Sequence, residues 1–407
     1  MIKQTFCENN LYPLISGKDK LKKDIEKKLI IAESIDFLKN KINDGNLLRK
    51  ITLHNKEIFI TQKPQAKIIL KKLSKNISIA ARIKPQRRNF ITSNIKNLLR
   101  ESTPFKVYRL DISQFFESFS KEQIIEVIDS LKNLLPINKN ICEAILQNHS
   151  NLSGKGVPRG LSISTPISEL LMKRFDLSMR SHPDVFYYAR YVDDIIIITS
   201  SREDCSEILS FVEKQLPVGL SLNRKKYDEA DGSKHYKKTP IPPAEEFEYL
   251  GYTFKFNQVN TPDKGDPRKI EVSISQAKIS KIKKRICRSF ISFHKKKDFQ
   301  LLLDRIKFLT NNFSIYDIES CRKKNVGIYF NYPLITESSQ SLNELDIFLK
   351  SAIYSSHGKI FSKTAPLLDS KKKRILLGQS FYNGHTNRKY ISFSGERISE
   401  IKSCWVY

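Results

Sequence analysis

Residues 186–201 read FYYARYVDDIIIITSS. An aromatic run and four isoleucines flank Asp193 and Asp194, the pattern of two apolar strands joined by a tight turn. Adjacent carboxylates repel each other, and nothing apolar in the flanks explains why both are there. A solvated surface turn is the ordinary home of an Asp-Asp pair, so the neighbouring segments must decide whether this one does chemistry.

The nearest clue lies upstream. VYRLDI, 107–112, alternates as a strand and ends on Asp111. If that strand and the hairpin are neighbours in one sheet, three carboxylates converge at its edge. Like charges about 4 Å apart in a low-dielectric site cost several kcal/mol. Two Mg²⁺ ions would relieve this, because hard divalent cations prefer carboxylate oxygens and leave positions for phosphates. A pair of such ions activates a 3′-hydroxyl and holds a departing pyrophosphate.

Composition points the same way. The 407 residues carry 71 Lys and Arg against 43 Asp and Glu, a net charge of +28, which calls for a polyanionic partner. A Lys-, Ile- and Asn-rich codon bias accounts for many lysines but not for the shortfall of acids. A hydrophobic content of 40% is enough for real cores, and the length suggests two or three modules. Six cysteines (Cys7, Cys142, Cys205, Cys287, Cys321 and Cys404) show neither CxxC pairing nor nearby histidines, which argues against zinc and against a disulfide framework. MIKQTFCENN lacks an apolar leader and no apolar run reaches about 18 residues, so a cytoplasmic protein without a membrane partner is expected.

Along the chain, residues 14–48 read as a basic helical segment, and SKEQIIEVIDSLKNLL (120–135) as a helix with a Ser-x-x-Gln cap. GKGVPRG (154–160) reads as a glycine-rich loop before a helix. A helix follows over 203–215, then GLSLNRKKYD (219–228) and the strand pair EEFEYLGYTFKF (245–256). NTPDKGDPRK (260–269) reads as a linker, beyond which basic amphipathic helices begin; the last hundred residues read as mostly helical.

In order, these segments resemble the motifs of reverse transcriptases over roughly residues 80–256. Asp111 with Phe115 and Phe116 resembles the first palm motif, and Val157-Pro158-Arg159-Gly160 through Ser164 the second. Tyr191-Val192-Asp193-Asp194 resembles the Tyr-x-Asp-Asp signature, Asn223-Arg224-Lys225-Lys226 the Asn-x-x-Lys motif, and Tyr249-Leu250-Gly251-Tyr252 the primer grip. Three departures bear on template handling: Arg159 stands where Gln is usual, Thr165 separates Ser164 from Pro166, and Tyr227 stands where Thr is common.

The resemblance implies an α+β right-hand polymerase. Its N-terminal helical region and fingers would span 1–106, its palm 107–259 (120–155 partly fingers), and its helical thumb and C-terminal region 260–407. It implies two Mg²⁺ ions on Asp111, Ile112, Asp193 and Asp194, with Lys226 as general acid to pyrophosphate and Lys225 as its rival. Phe116 would exclude a 2′-hydroxyl, the alternative being a plain core Phe. Arg87, Arg88, Arg159 and Gly160 would contact the nucleotide, although Arg82 and Lys84 compete for the triphosphate. Lys281, Lys283, Lys284 and Arg285, with Tyr249, Leu250 and Gly251, would hold template–primer. The aromatics among those lysines read equally well as core.

Retron-type Asn-Ala-x-x-His and Val-Thr-Gly elements are absent. The chain is most similar to bacterial defence-associated reverse transcriptases, which implies DNA synthesis from dNTPs on a structured noncoding RNA in antiviral defence. Template-independent or protein-primed synthesis of the abortive-infection type, a retron enzyme, and a non-enzymatic RNA-binding scaffold are the alternatives. A second copy, a second reverse transcriptase or an effector protein are the protein partners left open.

Overall fold

The computed structural model describes residues 2–15, 24–40, 42, 47–53, 56–233, 235–236, 243–260, 267–317, 322–355 and 357–405. Residues 16–23 of the N-terminal basic segment and 261–266 of the expected linker lie outside them. By packing, the chain divides into two compact units. The first comprises Met1–Arg87, Pro104–Ser233 and Tyr316–Arg322; the second comprises Arg88–Thr103, Lys234–Ile315 and Lys323–Tyr407.

The first unit holds strands β1 (Leu48–Leu53), β2 (Lys56–Thr61), β3 (Lys106–Asp111), β4 (Val185–Tyr191), β5 (Asp194–Thr199) and β6 (Asp228–Asp231). β1 and β2 form a separate hairpin, and the other four make one sheet in the order β4-β5-β3-β6. All its pairings are antiparallel. Ile195, Ile196, Ile197 and Ile198 of β5 are each at most 1% exposed, so this central strand is covered on both faces. That is why the isoleucines run consecutively instead of alternating with polar residues.

Helices cover the face bearing Tyr108, Leu110, Ile195 and Ile197, in one core with Phe115, Ile124, Ile145, Ile167 and Phe175. The helix Lys121–Asp129 begins with the expected reciprocal cap: the Gln123 N–H donates to Ser120 Oγ, and the Ser120 N–H donates to Gln123 Oε1. Pro136 opens the next helix, Pro136–Asn151, where its missing N–H costs nothing. The glycine-rich loop lies against β2, with the Phe59 N–H donating to the Arg159 carbonyl at 2.8 Å. Gly160 sits at φ +98, and a Cβ there would come within 2.4 Å of Ile58 Cγ2. Only glycine fits that approach.

The second unit contains β7 (His235–Tyr236), β8 (Glu245–Tyr249), β9 (Tyr252–Phe256), β10 (Val259–Asn260) and β11 (Ile270–Ile274). β8, β9 and β11 form an antiparallel sheet, and β7 pairs with β10. The helices Gln276–Lys296, Phe299–Thr310, Ser341–Tyr354 and Gly395–Ser403 follow.

Into this unit folds the distant helix Arg88–Leu98, with Ile91 and Ile95 fully buried. Buried Arg268 ties down the loop that follows it: Nη1 donates to the carbonyls of Glu101 (2.9 Å) and Thr103 (3.0 Å). Arg305 caps the C-terminal helix, donating to the carbonyls of Glu400 and Ile401 in its last turn, where a cation is electrostatically favourable. Among the described residues no helix is long and apolar enough to cross a membrane, and Cys7, Cys142, Cys205, Cys287 and Cys404 form no disulfide.

Candidate active site

Asp111 closes β3 and Asp194 opens β5, and the two are direct partners in the antiparallel ladder. The Ile112 N–H donates to the Asp193 carbonyl at 3.2 Å, tying the hairpin turn to the end of β3. Three carboxylates therefore share one sheet edge, with Asp111 only 5% exposed. Burial raises the pKa of Asp193, and the charge of Asp111 raises it further. Burial likewise raises Asp194, followed by the charges of Asp193 and Asp111. The repulsion expected from the sequence is thus expressed as reluctance to ionise.

Cations answer part of it. Lys226 Nζ donates to both oxygens of Asp111, at 2.9 and 3.0 Å. Those hydrogen bonds raise the Lys226 pKa, with the neighbouring carboxylates adding to the effect. Arg109 Nη2 lies 4.0 Å from Asp194 Oδ1. Asn223 braces Asp111 twice, its N–H donating to the Asp111 carbonyl at 2.7 Å and its Nδ2 to Oδ2 at 3.2 Å. A single helical turn, Arg224–Lys226, sets Lys226 against Asp111, although it and Lys225 are both exposed.

Buried carboxylate oxygens short of positive charge are the donor type that suits a hard divalent cation. Asp111, Asp193 and Asp194 would be the side chains to hold it; the Ile112 side chain is apolar and buried, leaving only its backbone carbonyl as a ligand. Among the described residues no three His, Cys, Asp or Glu side chains converge on one point, and the ammonium of Lys226 occupies both Asp111 oxygens.

Phe116 is half-buried beside this edge, its ring edge-on to Phe115. The Arg159 guanidinium lies over the Phe116 ring, 4.9 Å from its centroid, while its Nε and Nη2 donate to Glu117 Oε1 at 3.0 and 2.8 Å. Arg159 is thereby held by an acid as well as by the ring. Gly160, in the same loop, has the packing role against β2 described above.

The remaining sequence-derived residues lie elsewhere. Arg87 is exposed in the first unit. Arg88 belongs to the second, where Nε donates to the Leu250 carbonyl at 2.8 Å and Nη1 to the Asn331 carbonyl at 2.7 Å. It also lies over the rings of Tyr252 and Tyr332. Tyr249 is buried, and Leu250 and Gly251 form the β8–β9 turn that Arg88 grips. On the helix Gln276–Lys296, Lys281 and Lys284 are exposed. Lys283 pairs with Glu344 at 2.6 Å, and Arg285 lies over the Trp405 ring.

Sequence reasoning missed Arg109, Glu117 and the buried Arg190, and it quoted Asn223 without assigning it work. A charged residue at a strand position otherwise reading as apolar was the available signal for Arg109 and Arg190.

The family description "Reverse transcriptase (RNA-dependent DNA polymerase)" matches residues 58–254. No curated protein matches the sequence. Among solved structures, telomerase from Candida albicans with a fragment of telomeric RNA is 14% identical at a TM-score of 0.33, covering 80% of this chain and 65% of that one. Apo telomerase from Candida tropicalis is 14% identical at a TM-score of 0.32, covering 93% and 56%. The chain thus spans less than two thirds of the length of these structures. The four-stranded sheet, its carboxylate edge and the motifs thus fall within residues 58–254, the stretch that matches the reverse transcriptase (RNA-dependent DNA polymerase) family, and the mixed helix-and-sheet architecture is that of a right-hand polymerase.

Proposed function

We propose that the whole chain synthesises DNA from deoxynucleotides on an RNA template, extending a 3′-hydroxyl at the edge formed by Asp111, Asp193 and Asp194. The observation that carries this is the Asp111–Asp194 register pairing, with Asp193 in the intervening turn. Two Mg²⁺ ions, when bound there, would supply charge neutralisation of the incoming triphosphate and activation of the hydroxyl. The chain's own residues do the rest. Asp111 keeps Lys226 protonated, and that side chain, 54% exposed, is free to carry a proton toward departing pyrophosphate. Phe116, backed by Arg159, forms a fixed wall that a 2′-hydroxyl would strike.

The template is a structured noncoding RNA and the setting antiviral defence in the cytoplasm. This part rests on the motif resemblance and on the excess of 28 positive charges. Template-independent addition is the second reading, favoured by one feature: Glu117 and the Phe116 ring engage Arg159, where the family's motif has a Gln. Sequencing the DNA and RNA that copurify with the protein tests both. Complementary RNA and DNA support templated synthesis, and DNA without a matching RNA supports the second reading.

A further inference from the structure

The turn that presents Asp193 is strained. Val192 has φ +63, in the left-handed region that a β-branched residue adopts only when its surroundings impose it. Released, the Val192 backbone would relax to negative φ, turning the peptide that follows and with it the direction of Asp193.

What holds the turn is a buried arginine. The Arg190 side chain is 2% exposed and uses all five of its N–H donors. Nε donates to Asp176 Oδ1 at 2.9 Å and Nη2 to Asp176 Oδ2 at 2.8 Å. Nη1 and Nη2 donate to Glu169 Oε1 and Oε2 at 3.1 and 3.0 Å. The fifth donor, on Nη1, reaches the Val192 carbonyl at 2.9 Å.

The two acids come from different helices, Glu169 from Ser164–Leu171 and Asp176 from Lys173–Arg180, and Tyr188 adds a hydrogen bond to Asp176 at 2.6 Å. The guanidinium therefore has no rotational freedom. A cluster serving only to pair buried charges would need four donors; the fifth is aimed at the one strained peptide of the hairpin.

We infer that Arg190 is a positioning residue: braced by Glu169 and Asp176, it holds Val192 left-handed and so presents Asp193 beside Asp111. The inference rests on the reading of Asp193 as part of a polymerase site.

The test is steady-state dNTP incorporation on a primed RNA template by the full chain, with melting temperature measured in parallel. Arg190→Met removes the donors at similar volume and should lower kcat about tenfold, equivalent to about 1.4 kcal/mol, while KM for dNTP stays within about twofold. Adding Val192→Gly should recover most of that loss, because glycine takes positive φ without steric cost. Arg190→Met alone leaves two buried acids unpaired and can fail to fold. Arg190→Met with Glu169→Gln and Asp176→Asn removes the charges together; it should melt near wild type, remain slow, and be accelerated by Val192→Gly.

Wild-type kcat in either Arg190 background, or no acceleration by Val192→Gly in both, overturns the positioning role. Absence of incorporation by the wild-type chain would instead refute the polymerase reading itself.

Discussion

Lys226 Nζ stands 2.9 and 3.0 Å from the two oxygens of Asp111, so this lysine of the carboxylate edge is kept charged by the residue it would work beside. Its side chain is 54% exposed and contributes little to stability. Lys226→Ala should therefore cut incorporation by about 10²–10⁴, the range of a lost general acid, with little change in melting temperature. Lys225→Ala should do neither. Equal losses in the two variants would show that the segment acts only as a basic surface.

Asp193→Asn with Asp194→Asn should abolish incorporation without destabilising the metal-free protein. A carboxyl whose pKa is raised by folding destabilises the fold at pH values above its folded pKa; burial raises both groups, with Asp111 adding to each and Asp193 to Asp194. Thermal melting at pH 7 without divalent ions should give the double variant a melting temperature at or above wild type. Incorporation at the wild-type rate would remove the carboxylates from the chemistry.

In the proposed function, sugar selection falls to the Phe116 ring, which the Arg159 guanidinium covers. Phe116→Ala should raise the ratio of ribonucleotide to deoxynucleotide incorporation, and Arg159→Ala should raise it less, by freeing the ring that Arg159 covers. The readout is competitive incorporation of matched nucleotides. A ratio unchanged in Phe116→Ala assigns that ring to packing alone.

The basic helix divides into exposed charges and charges engaged within the protein. Lys281→Gln with Lys284→Gln should reduce the log–log salt slope of RNA binding by about two units, roughly one per lost phosphate contact. Lys283→Gln with Arg285→Gln should lower the melting temperature instead, because those cations are engaged with Glu344, Phe348 and Trp405. Salt titrations of the two double variants separate these outcomes, and slopes equal to wild type in both would place the RNA contacts elsewhere.

His149 makes the first unit acid-sensitive. It is 2% exposed, edge-on to Phe59, and burial lowers its pKa to about 4. Below pH about 6.5 the unfolded chain gains a proton that the folded chain refuses until about pH 4. Stability should fall by about 3 kcal/mol across that window as pH drops. His149→Leu should flatten the profile of melting temperature between pH 6.5 and 4, and an unchanged profile would place the acid sensitivity in other groups.

The carboxylate edge was legible because its chemistry is local: an alternating strand ending in Asp111 and an Asp-Asp turn between apolar runs are each readable from a dozen residues. The cap at Ser120 was legible for the same reason. What escaped were long-range choices. Nothing local distinguishes Arg88, which grips the Leu250 and Asn331 carbonyls, from Arg87, which is exposed. Four similar cations from Lys281 to Arg285 receive different partners only because Glu344 and Trp405 arrive from far along the chain.

The helix Arg88–Leu98 has a consequence for how the protein is made. It is synthesised early, yet Arg268, which holds the loop after it, emerges from the ribosome much later. At about 5–20 residues per second, Ile91 and Ile95 wait on the order of ten seconds for the unit that buries them. During that interval the nascent chain carries an amphipathic helix whose buried face has no partner. A gene fragment ending at residue 233 would make that exposure permanent, keeping Asp111, Asp193 and Asp194 in a product prone to aggregate.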